Sequence, residues 1–96
     1  MANRLDGARL MGHNGSGCML ASEIKMRFDE GFHQEAIIVR EPMANDSYNV
    51  AVKGRGYWIY VSAARTKTTP KSYKSLDAAM SELSKIGFRE ATIDLK

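Results

Sequence analysis

The spacing of apolar residues changes along this chain, and the changes mark its elements. Tyr48, Val50 and Val52 alternate with Asn49, Ala51 and Lys53, the period-two pattern of a strand with one apolar face. Gly54, Arg55 and Gly56 follow, and glycine supplies the positive φ that a hairpin turn needs. The next strand presents Tyr57, Ile59, Val61 and Ala63 on one side and Trp58, Tyr60, Ser62 and Ala64 on the other. Aliphatic Ile59 and Val61 suit the side packed on a helix. Trp58 and Tyr60 then face away, either toward a partner or under the N-terminal strands.

A four-residue period begins after Ser75. Leu76, Ala79, Met80, Leu83 and Ile86 form one stripe, Ser75 is the N-cap, Asp77 sits in the first turn and Gly87 stops the helix. Ser81, Glu82 and Ser84 fall on the outer side, which argues against a DNA-reading helix and directs attention to the sheet and loops. Ala91, Ile93 and Leu95 alternate with Glu90, Thr92 and Asp94, so Phe88 to Leu95 reads as a returning strand with an acidic outer side. Lys71 to Lys74 reads as a short strand with Tyr73 pointing inward.

Upstream, Ala36 to Val39 is a short, continuous apolar run ended by Pro42, as expected of a well-covered strand. Residues 19–32 fit two periods. Leu20, Ile24, Phe28 and Phe32 recur every four residues, as in a helix, whereas Ile24, Met26 and Phe28 alternate, as in a strand. Gly31 interrupts the helical spacing, which tips the reading to a strand over Glu23 to Phe28. Residues 1–18 hold Gly7, Gly12, Gly15 and Gly17 and read as a flexible segment. The fold expected is α+β: one domain over 19–96, a mainly antiparallel sheet of four to five strands, and one helix over about 76–86 on one face.

Charge adds a direction. The chain carries +3 overall, yet Ser47 to Leu76 contains six cations (Lys53, Arg55, Arg65, Lys67, Lys71 and Lys74) and no acid. A polyanion would meet this segment first. Arg65 to Thr69 mixes cations with hydroxyls, a combination suited to a phosphate backbone and equally to a solvated loop. Trp58 and Tyr60 would add stacking if exposed.

Candidate chemistry is sparse. His13, Cys18 and His33 fall short of a zinc set. Gly15-Ser16-Gly17 lacks the lysine and the preceding strand of a phosphate loop. Cys18 has no identifiable base, and Asp29 and Glu30 read as turn residues. No enzyme activity, metal or cofactor is expected. A single cysteine, no secretory h-region and no long apolar run point to a cytoplasmic protein that does not enter a membrane.

The run Tyr57-Trp58-Ile59-Tyr60-Val61, then Lys71-Ser72-Tyr73-Lys74, then Ser75 to Met80, resembles the arm-type DNA-binding domains of phage integrases. It is also similar to small accessory proteins of plasmids and other mobile elements, including partition-associated ones. The resemblance spans Tyr48 to Gly87. It implies a three-stranded sheet backed by a helix, with the sheet meeting the major groove. The chain departs from that pattern in its N-terminal segment and in the strand after the helix, and it lacks a recombinase catalytic domain. The expected function is DNA binding by a small accessory or regulatory protein through Lys53, Arg55, Trp58, Tyr60, Arg65, Lys67, Lys71 and Lys74. The competing expectation is a protein-interaction module or homodimer that uses exposed aromatics and an open sheet edge.

Overall fold

The computed structural model describes residues 17–31, 33–41, 46–54, 57–65 and 69–95. In chain order the elements are β1 (Cys18–Met19), α1 (Ala21–Asp29), β2 (Glu35–Arg40), β3 (Tyr48–Gly54), β4 (Tyr57–Val61), α2 (Leu76–Ile86) and β5 (Thr92–Asp94). The five strands form one mixed sheet in the order β1-β4-β3-β2-β5. The class is α+β, as expected.

The hairpins form as the alternation predicts. β3 pairs antiparallel with β4, Val52 opposite Ile59 and Lys53 opposite Trp58. β2 pairs antiparallel with β3, Ile38 opposite Val50. Both edges are parallel: β1 runs beside β4 and β5 beside β2. The sheet is therefore mixed, with antiparallel pairing at its centre, as expected, and a parallel strand at each edge. The cause is connectivity, because α1 carries the chain from β1 to β2 and α2 carries it from β4 to β5. Parallel neighbours require such crossovers.

The strand expected over Glu23 to Phe28 is a helix instead. Ile24 is fully buried while Met26 is 67% exposed, so the four-residue spacing decides the structure and the alternation does not. Lys25 and Asp29, one turn apart, pair at 3.7 Å. Gly31 ends the helix at a φ of 82° rather than preventing it. The described residues thus hold two helices where one was expected. Gly17 and Cys18 join the sheet, since Tyr60 N–H donates to the Gly17 carbonyl at 2.9 Å and Cys18 lies opposite Tyr60.

Both helices contribute to one core. Ile24 of α1 and Ala79, Leu83 and Ile86 of α2 meet Ala36, Ile38, Val50, Val52, Ile59 and Val61. Phe28 stacks on Phe88 at 4.6 Å between ring centroids, which ties α1 to the end of α2. The opposite face holds a smaller cluster of Ile37, Val39, Ala51 and Trp58, to which neither helix contributes. β3 was expected to bury one face only, yet Asn49 and Ala51 are buried as well as Val50 and Val52. The continuous run Ala36 to Val39 is buried throughout and central in the sheet, as its composition predicts.

Two further departures concern the ends. Lys71 to Lys74 forms no strand. Ser62–Pro70 and Tyr48–Tyr73 are single bridges, although Tyr73 does point inward. The returning strand is only Thr92–Asp94, and the residues expected on its packed side stay in solvent, Ile93 at 47% and Leu95 at 40% exposed.

Candidate nucleic-acid interface

The acid-free stretch of the sequence leads, in the structure, to a groove beside α2. The chain leaves β4, crosses its end and enters the helix through residues 69–75. This crossing is pinned by backbone bonds: Lys71 N–H to the Val61 carbonyl at 2.9 Å, and a reciprocal pair between Tyr48 and Tyr73 at 2.8 Å. The Asn49 side chain adds a bond to the Lys71 carbonyl at 3.0 Å. Ser75 then caps α2 by accepting from the Ala78 N–H at 3.0 Å. Between this segment and the Ala78–Lys85 flank of the helix lies a groove of about 380 Å³, lined by Lys71, Ser72, Tyr73, Lys74, Ala78, Ser81, Glu82 and Lys85.

Three lysines and one carboxylate thus line the groove. Glu82 Oε1 accepts from Tyr73 Oη at 2.9 Å and from Lys71 Nζ at 3.4 Å. Lys71 Nζ also lies 5.3 Å from the Tyr73 ring centroid. Burial, then the hydrogen bond and charge of Glu82, push the Tyr73 hydroxyl well above its ordinary pKa, so it remains a donor. Lys74 and Lys85 are exposed and form no ion pair among the described residues. Ser72 Oγ donates to Glu41 Oε1, which also accepts from Asn49 Nδ2 at 3.2 Å. That network fixes the segment from below and leaves the lysine side open.

The other expected site residues are dispersed. Lys53 pairs with Glu35 at 3.8 Å and lies 5.7 Å from the Trp58 ring centroid. Trp58 is only 5% exposed, in the cluster on the helix-free face, and Tyr60 is half-buried. Exposure was the condition for base stacking, and Trp58 does not meet it. Arg65 is exposed after β4. Arg55 and Lys67 lie outside the described residues. Sequence reasoning missed Lys85 and assigned Glu82 to the outer side of the helix. The spacing 78, 81/82, 85 is one helical row and is the signal that could have placed both beside Lys71 and Lys74.

A second hollow of about 380 Å³ lies at the starts of β2, β4 and β5, lined by Gln34, Glu35, Ala36, Trp58, Glu90, Ala91 and Thr92. Its carboxylates make it unsuited to an anion. His33, just before β2, is buried at 2% exposure. Burial, with the nearby Arg27 charge, lowers its pKa to about 4, so it is neutral at physiological pH. No group of three His, Cys, Asp or Glu suited to a metal ion occurs among the described residues. No described helix is long and apolar enough to cross a membrane.

Comparison with known protein families, with curated proteins and with solved structures finds no match for this chain.

Proposed function

We propose that this protein binds nucleic acid, in the first place DNA, through the lysine groove between residues 71–74 and α2. The observation that carries the reading is the pinned groove itself, with Lys74 and Lys85 free of ion pairs among the described residues and Lys71 held by a single carboxylate. Phosphates would be met by Lys74 and Lys85, while Glu82 holds Lys71 back from the backbone. Arg65 extends the basic surface along the chain. Contacts of this kind position a protein on a backbone and carry no base readout. With Trp58 buried, stacking is not part of the proposal. The protein acts as a binding module without a cofactor, in the manner of a small accessory or regulatory protein. A cytoplasmic location fits a nucleic-acid partner and the single buried thiol of Cys18.

The test is fluorescence anisotropy with a labelled random-sequence duplex and a labelled single strand. Counting only Lys74 and Lys85, affinity should fall about twelvefold between roughly 50 and 200 mM salt. Lys74→Ala and Lys85→Ala should each lower the slope of log K against log salt by about 0.9. Unchanged affinity and slope in both variants would remove the groove from the binding surface. Absence of binding to either probe at low salt would reject the function.

A further inference from the structure

We propose that β5 is a self-association strand, and that two copies of this chain join along it in one register to make a continuous sheet of twice the width. This inference is independent of the phosphate groove. β5 is an edge strand, bonded to β2 on one side and with no strand on its other side among the described residues. Unpaired edges are templates for strand addition, and a lysine, a proline or a bulge is among the features that block it most strongly. From Ala91 to Leu95 this chain places none of these residues. It exposes Ile93 and Leu95 instead, two of the three large apolar side chains in solvent among the described residues.

The occupant follows from the sequence of the strand. A two-fold axis perpendicular to the sheet keeps the helix-bearing faces of both copies on the same side. Only residues of equal parity can then lie opposite each other, so the axis must pass through a residue. Centred on Ile93, the strand is complementary to itself. Ile93 meets Ile93, Ala91 meets Leu95 and Thr92 meets Asp94. One face then gathers six apolar side chains, while the other pairs hydroxyl with carboxylate. Centred on Thr92, Glu90 would oppose Asp94, and centred on Asp94, that carboxylate would oppose itself. Like charges directly opposite are destabilising, so the chemistry selects the Ile93 register. An unrelated peptide would have no reason to match this pattern, which is why a second copy is the partner inferred.

Edges this short bury less than the ~1,200 Å² of a standard interface, so dissociation constants on the order of 100 µM are expected. Sedimentation equilibrium up to about 1 mM should show the mass rising from one chain toward two. Ile93→Asp, which puts two carboxylates on the axis at a solvent-exposed position, should leave a monomer at every concentration. Register is read by cysteine pairing. Ile93→Cys should form a disulfide-linked dimer under mild oxidation, because residues on the axis lie about 5 Å apart. Thr92→Cys and Asp94→Cys should not, because like residues there are about 8 Å apart, beyond disulfide reach. Mixing those two variants should restore the cross-link. Native Cys18, 1% exposed, contributes no background. A monomeric mass throughout, an Ile93→Asp variant that still dimerises, or equal cross-linking by all three cysteine variants would each overturn the proposal.

Discussion

Glu82→Gln is the perturbation that separates a working groove from an ornamental one. Glu82 Oε1 holds both Tyr73 Oη at 2.9 Å and Lys71 Nζ at 3.4 Å. Glutamine keeps an acceptor for the tyrosine and removes the charge that occupies the lysine. The ion pair being lost has a half-exposed lysine, 45% accessible, so it contributes at most about 1 kcal/mol. Thermal unfolding should therefore shift by only a few degrees. Binding should change much more. With Lys71 released, the groove offers three cations in place of two, and the salt slope should steepen from about −1.8 to −2.7. The loss of affinity between roughly 50 and 200 mM salt then grows from about twelvefold to about fortyfold. At 0.1 M salt the variant should bind about eightfold more tightly than the natural protein. The assay is the anisotropy titration, run alongside the Lys71→Met,Glu82→Gln double variant. The double variant should lose the gain, because Lys71 is the route by which it arises. A Glu82→Gln variant that folds normally and binds no more tightly would refute the reasoning. So would an equal gain in the double variant, which would assign the effect to the general field of the protein.

Three predictions concern the scaffold. Gly87 has a φ of 131°, and a Cβ there would sit 2.4 Å from the Phe28 ring, so Gly87→Ala should cost about 2 kcal/mol or more and lower Tm by about 10 °C. A normal melting curve for that variant would show that α1 can move away from α2 at little cost. His33 is held at a pKa of about 4 in the fold against 6.5 for an unhindered histidine. As pH falls the unfolded chain takes up the proton first, so stability is intact above pH 6.5 and drops by about 3 kcal/mol as pH approaches 4. Urea unfolding at several pH values should show that fall, and His33→Gln should flatten it. Ser62 Oγ is buried with no hydrogen-bond partner among the described residues, so Ser62→Ala should be neutral or stabilise by about 1 kcal/mol. A loss above that size in urea unfolding would reveal a partner for the hydroxyl.

The α2 stripe, its Ser75 cap and its Gly87 stop were legible in the sequence because each rests on local chemistry. The β3–β4 hairpin was legible for the same reason. What escaped depends on contacts distant in sequence. The helical reading of residues 21–29 needed the knowledge that Phe28 packs on Phe88, a partner about sixty residues away. β1 is two residues long and exists only because β4 lies beside it. Whether Trp58 is exposed depends on what lies over the helix-free face, which no spacing on β4 reveals. The site was half legible. Charge segregation led to Lys71 and Lys74 but not to Lys85, which lies beyond the acid-free stretch. Glu82 became visible as its counterpart only when α2 was placed against Tyr73.

The central claim, that the groove beside α2 receives a phosphate backbone, is tested most directly by titrating isotope-labelled protein with a short random-sequence duplex and a single strand. Chemical shifts are followed at low and moderate salt. Salt-sensitive changes should cluster on Lys71, Ser72, Lys74, Ser81 and Lys85, extend to Arg65, and leave the buried Trp58 indole little affected. Shifts confined to other surfaces, or none with either ligand at low salt, would contradict the claim.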